Sequence, residues 1–404
     1  MKPCSERFRL KDLYCFCGFK FVESFVESDC ILVVLNRTRK TGVCPCCGRR
    51  CRYLHRYRKR RIRDLDVATS RVFLEFVSCQ LDCRCGYKGY EQLDFVEEYS
   101  RYTKRFEEKV VVLCQKMCIK DAASEMRIGW DAAKNIDKRY AQKHIADLQH
   151  VSPKGIGVDE VAYEKGHKYL TVVRDLDLGK VVWVGAGRKK ETLDIFFKEL
   201  GVEKSWHITV AVCDMWDPYI ASIHANTNAA IVFDKFHIAK YITNAVDHIR
   251  RQEFAKADPT ERKLMKKKRF LILARQQRLD DAKRETLQDL LLLNSNLSAA
   301  YILKEQALDI FDEQHIDNAT KRLNKWFANI TTAGLQPLIN AAQTIKNYMY
   351  GVLNYFIYHV TNAASEGFNN KINIIKRRAY GFRDLEYFKL KILQNCGQTH
   401  HHMP

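Results

Sequence analysis

Three acidic residues and two cysteine clusters are the places where this chain could do chemistry. Asp159 lies in GIGVDEVAY, Asp214 in ITVAVCDMWDPY and Glu366 in TNAASEGFNN. The first two follow short apolar runs that read as buried strands, and the third sits in a segment that reads as a helix. Carboxylates at the ends of neighbouring strands, joined by one from a helix, make an oxygen cage suited to Mg²⁺ or Mn²⁺. Two such ions about 3.5–4 Å apart activate a water or hydroxyl and stabilise the leaving oxygen in phosphoryl transfer. Asp234, in AIVFDKFH, also ends a strand and competes for such a role, and Glu160 and Asp217 are neighbours that could substitute. An acid at a strand end is more commonly a cap or turn former. His237 reads either as a phosphate contact or as a satisfied, partly buried histidine.

The cysteines suggest a different metal. Cys44-Pro-Cys-Cys47-Gly is a knuckle in which the glycine lets the backbone turn toward an ion. A second cluster follows at Cys79, Cys83 and Cys85-Gly. Two pairs of thiolates give a tetrahedral structural zinc site. Cys85 is favoured by its following glycine, and its partner is Cys79 or Cys83, so the ligands are four of these five. Cys46 and Cys51 read as bystanders. Thirteen of the fifteen cysteines precede residue 119. In a reducing compartment such clustering points to metal rather than disulfides.

The phosphate belongs to nucleic acid, to judge from charge. The net charge is +20, which favours a polyanionic partner. From Arg37 to Arg63 there are twelve Lys or Arg and no acid. Within that stretch Arg56, Arg58, Lys59, Arg60 and Arg61 are candidate phosphate contacts. A second run, residues 262–278, holds eight basic residues and no acid, among them Lys266, Lys267 and Lys268. A third, Lys376-Arg377-Arg378, follows Glu366. No apolar run reaches the roughly 18 residues of a membrane span, and the N-terminus lacks a signal-peptide stretch. The chain reads as soluble and cytoplasmic (bacterial cytosol or nucleoid), with no membrane partner.

The elements that must position these residues follow from periodicity. At 404 residues and 46% hydrophobic content the chain supports several packed domains. Residues 1–98 read as a zinc-binding domain opened by a small leader. In 99–151, DAASEMRIGWDAAKNIDKRYAQ reads as two short helices about a turn at Ile128-Gly129, a helix-turn-helix. Its second helix, roughly Asp131 to Tyr140, would enter the major groove with Lys134, Lys138 and Arg139. Residues 152–250 give three meandering strands (GIGVD, KYLTVVRD, KVVWVG), then alternating helices and strands. That is the order of a ribonuclease-H-like sheet, which uses its first and fourth strands for the acids and so selects Asp159 and Asp214 over Asp234. Residues 251–345 carry helical spacing and almost no strand signal, and 346–404 return to helix with Glu366. The fold class is multidomain α+β: a zinc ribbon, a helix-turn-helix, and an α/β catalytic domain with an all-helical insertion.

Taken together, CPCCG with its arginine-rich ribbon, GVDEVAY, VCDMWDPY, IVFDKFHIAK, TNAASEGFNNKI and KRRAYGFRD resemble the insertion-sequence transposases of the ISL3 family, in the same order from about residue 40 to 392. The resemblance implies a zinc-binding N-terminal domain, a helix-turn-helix and a DDE catalytic domain with the helical insertion before its third acid. It implies Asp159, Asp214 and Glu366 as the catalytic, metal-holding residues. The implied activity is recognition of terminal inverted repeats in double-stranded DNA, strand cleavage and strand transfer, with at least a homodimer to pair two ends. The reading from another class is a non-cleaving DNA-binding regulator derived from a transposase. The family shows two cysteines in its second cluster where this chain has three.

Overall fold

The computed structural model describes residues 10–52, 54–145, 151–164, 166–361 and 363–397. The chain divides into two compact units, Met1–Tyr140 and Ala141–Pro404.

In the first unit, a short helix α1 (Leu10–Leu13) precedes strands β1 (Phe19–Glu27) and β2 (Cys30–Arg37). Two-residue strands β3 (Gly42–Val43) and β4 (Arg50–Cys51) flank the first cysteine knuckle. The long hairpin β5 (Leu54–Val67) and β6 (Ser70–Asp82) follows, then β7 (Lys88–Tyr90). The sheet order is β1-β2-β6-β5, with β7 on β6, so the leader supplies the strand expected at CILVVL, which is β2, and β1 besides. Alternating apolar residues close its core: Phe19, Val33, Leu35, Ile62, Val72, Leu74 and Phe76. Helices α2 (Lys104–Lys116), α3 (Ile119–Glu125) and α4 (Trp130–Ile145) come next. They pack around Phe106, Val110, Ala122, Ala123, Ala133 and Ile136, where small residues let helices approach closely. Thr103 caps α2 and donates to the buried Asp64 of β5 at 2.6 Å, and Arg105 Nε donates to the same carboxylate at 2.8 Å. The three helices are thereby bound to the basic strand.

The second unit contains a sheet of β8 (Gly155–Glu164), β9 (Lys168–Asp175), β10 (Lys180–Ala186), β11 (Val210–Cys213) and β12 (Ala230–Phe233). Its order is β10-β9-β8-β11-β12. The first three strands meander antiparallel, and β11 and β12 join β8 in parallel. This matches the order expected from sequence. Gly166 and Gly179, both at positive φ, turn the meander. Helices α5 (Lys190–Leu200), α6 (Val202–Trp206) and α7 (Asp217–Asn226) fill the crossovers, and α8 (Lys235–Lys256) leaves the last strand.

The helical stretch continues through α9 (Pro259–Met265), α10 (Arg269–Leu273), α11 (Asp281–Leu293), α12 (Ser295–Ile310), α13 (Ile316–Ala333), α14 (Gln336–Asn347) and α15 (Met349–Tyr358). Helices α16 (Ala363–Arg378) and α17 (Leu385–Cys396) complete the unit. The anticipated division at residue 250 falls inside α8, which continues to Lys256. One core, from Ile156 and Val212 through Ile242, Leu297 and Trp326 to Phe356, joins sheet and insertion. The opposite sheet face, with Val161, Leu170 and Val172, is covered by Ile372, Ile375, Phe388 and Ile392 of α16 and α17. Lys304 is fully buried because its ammonium caps α10, donating to the carbonyls of Ile272 (3.0 Å) and Ala274 (2.6 Å). Among the described residues no helix is long and apolar enough to cross a membrane.

Gly351 of α15 shows how tightly β12 is seated. A Cβ there would stand 2.3 Å from the ring of Phe233, the residue before Asp234. Alanine in a helix interior is ordinarily favoured over glycine by up to about 1 kcal/mol. Here overpacking, which costs about 1–3 kcal/mol, outweighs that gain. Gly351→Ala is therefore expected to lower the melting temperature by a few degrees in calorimetry, and a rise would show that Phe233 yields freely.

Candidate active site and nucleic-acid interface

Strand register brings two of the three expected acids together. Val212 of β11 lies opposite Gly157 of β8, so Asp214, just past the end of β11, comes level with Asp159. Asp159 does not end its strand as expected. β8 runs on to Glu164 because β9 pairs with it that far. Ligand atoms of Asp159, Asp214 and His237 all lie within 4.8 Å of one another. Asp159 is 6% exposed. It accepts from the Glu160 amide at 2.7 Å and from Asn369 Nδ2 of α16 at 2.9 Å. Asp214 contacts the Nδ1 of His237, on the first turn of α8.

Electrostatics mark the cluster as a place for a cation. Burial, then the charge of Asp214, raises the pKa of Asp159 despite its hydrogen bonds. Burial raises Asp234 as well. Burial lowers His237, but the contact with Asp214 and the charges of Asp159 and Asp234 more than compensate, and its pKa ends above the ordinary value. Arg174 of β9 is 2% exposed, and its Nε and Nη2 have no hydrogen-bond partner among the described residues. Burial lowers its pKa, while Asp159 and Asp234 favour its charge; the guanidinium lies 5.4 Å from the Phe368 ring of α16. Buried carboxylates that repel one another and share a rim of donors fit a divalent ion.

The remaining acids are placed otherwise. Asp234 is the N-cap of α8, accepting from Phe236 N at 3.1 Å. Glu160 pairs with Arg188, and Asp217 accepts from Tyr348. Glu366 is exposed in the first turn of α16 and lies outside the three-residue cluster. It precedes Asn369 by three residues, which puts both on one helix face. Asn369, Arg174 and Arg188 were not singled out from sequence. The one usable signal was that Asn369 shares the TNAASEGFNN stretch at helical spacing from Glu366.

Of the five candidate cysteines, the structure brings together Cys44, Cys47, Cys83 and Cys85. The Cys44–Cys85 and Cys47–Cys83 sulfurs are 3.7 and 3.6 Å apart. That is close to the edge of a tetrahedron built on Zn–S bonds of about 2.3 Å. The two knuckles, one Cys-x-x-Cys-Gly and the other Cys-x-Cys-Gly, close in a similar way. Gly48 and Gly86 both adopt positive φ, donating to Cys44 O and Cys83 O at 2.9 Å. Cys79 is buried in the same packed cluster as Cys44 and Cys83 but falls outside the group of four, its sulfur against Gly42. Cys46 is exposed, and Cys51 is buried beside the cluster.

The basic candidates divide by what they touch. Arg56, Arg58, Lys59 and Arg61 are exposed on β5, and Arg60 is half-buried over Phe76. Lys59 pairs with Glu75 of the neighbouring β6, and Arg61 with Glu27 at the end of the edge strand β1. A cleft of about 470 Å³ beside this strand is lined by Arg58, Arg60, Tyr90, Arg101 and Lys104. On α4, which runs longer than expected, Lys134 lies over Trp130. Lys138 is half-buried, and Arg139 is committed to the buried Glu107. Lys266 and Lys267 are exposed between α9 and α10, with Lys268 half-buried beside them. Lys376 donates to Ala162 O at 3.1 Å, tying α16 to β8, while Arg377 and Arg378 are exposed.

Known proteins carry the same three parts. Residues 156–392 match the ISL3 DDE family, described as a transposase. Residues 91–141 match the helix-turn-helix domain of transposase family ISL3. Residues 40–85 match the zinc-finger of the transposases of IS204, IS1001, IS1096 and IS1165. The chain is 33% identical over 365 residues to the transposase for insertion sequence element IS1001 of Bordetella parapertussis, covering 89% of this chain and 90% of that one. It is 27% identical over 370 residues to the transposase for IS1557 of Mycobacterium tuberculosis, covering 84% and 82%. These matches imply a structural zinc, a divalent cation at the carboxylates, and DNA as partner. The chain belongs to the ISL3 family of insertion-sequence transposases.

Proposed function

We propose that this chain binds the terminal inverted repeats of an insertion sequence, cuts the DNA strand there and joins the released end to target DNA. The observation that carries the reading is the pairing of the buried Asp159 with the half-buried Asp214 at the same level of adjacent strands, held by Asn369 and His237. Asp159 and Asp214 are assigned as ligands of the catalytic cation, with Mg²⁺ or Mn²⁺ the ions suited to an oxygen donor set. Glu366 is assigned as the third acidic ligand, because it shares a helix face with Asn369. A divalent cation bound there supplies Lewis-acid activation of the attacking oxygen and neutralises charge on the phosphoryl group.

The chain's own residues supply the rest. Asn369 and the Glu160 amide orient the Asp159 carboxylate, and His237 fixes Asp214. The sites of attack are two phosphodiesters in turn. Water first displaces a 3′-oxygen at the element end, which leaves as a 3′-hydroxyl. That hydroxyl then attacks a target phosphodiester and displaces its 3′-oxygen. Cys44, Cys47, Cys83 and Cys85 are assigned to the zinc. Arg56, Arg58, Lys59, Arg60 and Arg61, with Lys134 and Lys138, are assigned to the repeat DNA. Lys266, Lys267 and Lys268, with Arg377 and Arg378, are assigned to DNA near the cleaved phosphate. Two ends are held by at least a dimer.

The test incubates the purified chain with a duplex bearing the inverted repeat that flanks its coding sequence and a supercoiled target plasmid, with and without Mg²⁺ or Mn²⁺. Nicks at the repeat terminus and covalently joined products are expected only with the ion. Specific binding without nicks would leave a regulator, and nicks without joined products a nuclease.

A further inference from the structure

Beside the carboxylates, and unused by the roles assigned so far, is an open cleft of about 810 Å³. This is within the range of about 300–1,000 Å³ typical of ligand-holding pockets. One wall is a stack of three side chains. The Arg188 guanidinium lies 4.2 Å from the ring centre of Tyr169 and 5.0 Å from that of Trp216. Three further hydrogen bonds hold this stack in place. Arg188 Nη1 donates to both oxygens of Glu160 at 3.2 and 3.3 Å, and Trp216 Nε1 donates to the Arg188 carbonyl at 3.0 Å. Trp216 nonetheless remains 39% exposed. The opposite side of the cleft is the start of α5, whose N-cap Lys189 is exposed and makes no side-chain cap bond.

We infer that this cleft is a seat for one unstacked nucleotide next to the cleaved phosphate, its base on Trp216 and its phosphate toward Lys189 and the α5 N-terminus. The inference rests on the transposase reading above and adds to it a nucleotide-binding role at a named place. Location argues for a nucleotide of the reacting strand. Trp216 is two residues beyond Asp214, just past the end of β11, so the cleft opens beside that end of the carboxylate pair; Glu160, which holds Arg188, points to the opposite face of β8 from Asp159. Chemistry argues the same way. An exposed indole held rigid by a cation is a stacking platform that accepts any base, and an uncapped helix start beside a lysine favours a phosphate. A seated base offsets the cost of taking it out of the duplex.

The test uses element-end duplexes carrying 2-aminopurine or an abasic residue at single positions on either side of the cleaved phosphate. Emission of 2-aminopurine in the protein–DNA complex needs binding only. It should differ between wild type and Trp216→Ala at one position and agree at the others. In cleavage assays Trp216→Ala should slow cutting of the intact duplex about tenfold, and this defect should shrink toward nothing when that one position is abasic. Trp216→Phe, which keeps a ring, should stay within about threefold of wild type. Trp216→Met, similar in bulk but without a ring, should behave as the alanine variant and serves if that variant melts early. Equal slowing on intact and abasic duplexes, with no position-specific change in emission, would overturn the inference. Failure of wild type to cut the unmodified duplex would instead count against the transposase reading.

Discussion

Asp159→Asn, Asp214→Asn and Glu366→Gln should each reduce strand cleavage and joining by roughly a thousandfold or more, while binding to element ends stays within about twofold of wild type. Each change keeps the shape of the side chain and removes the charge that holds a cation. The structure adds a second expectation for Asp159. Its carboxylate is buried and is repelled by Asp214, so the asparagine variant relieves a strain that the folded protein otherwise carries. Asp159→Asn should therefore melt no lower than wild type even as it loses activity, the pattern expected where function is placed at a cost in stability. Gel-shift, cleavage and melting measurements on the same preparations decide it. For Glu366 the assay is also an assignment. Near-wild-type cutting by Glu366→Gln would remove it from the site, and Asp234, buried at the end of the adjacent strand, would be the next residue to replace.

Cys83→Ser and Cys79→Ser should separate sharply, although both alter cysteines in the same strand–turn region. Wild type is expected to hold about one zinc per chain. Cys83→Ser removes a ligand from a site in which metal binding is itself folding energy, about 10–16 kcal/mol for zinc-finger peptides. That is as large as the whole stability of a typical domain. This variant should lose its zinc, unfold the two knuckles and bind DNA weakly. Cys79→Ser buries a hydroxyl where a thiol stood, a cost of about 1–3 kcal/mol, and should keep its zinc. Metal analysis by atomic emission with parallel melting curves reads both. Retention of a full zinc equivalent by Cys83→Ser would defeat the ligand set.

What the sequence made legible was local. The three-strand meander, its two turn glycines, the parallel strands and the acids that follow them are written in alternation and in turn residues. So are the knuckles, through a glycine after Cys47 and another after Cys85. What stayed hidden depends on partners far away in the chain. Asn369 reaches Asp159 across 210 residues, and nothing in its own neighbourhood announces that contact. The choice of Cys83 over Cys79 depended on which sulfur the hairpin turns toward Cys47, which spacing alone left open. The stretch from Arg37 to Arg63 contains no acid, yet Glu75 reaches it from the adjacent β6 and Glu27 from the end of β1. Arg139, a groove candidate on the second helix, also pairs with the buried Glu107, 32 residues earlier in the chain. The division placed at residue 250 lies within α8, which has no helix-stopping residue there; its first stop comes with Asp258-Pro259, where a capping box starts α9.

The helical insertion shares one continuous core with the catalytic sheet, from Val212 to Trp326. Cooperativity follows from that continuity. Sheet and insertion should unfold in a single transition, because one face of the sheet and the inner faces of the insertion helices bury the same apolar surface, while only the other sheet face packs on α16 and α17. An injury deep in the insertion, such as loss of the Trp326 ring whose Nε1 bonds Leu303 O, then reaches the carboxylates through population. The molecules that remain folded turn over at the normal rate, and there are simply fewer of them.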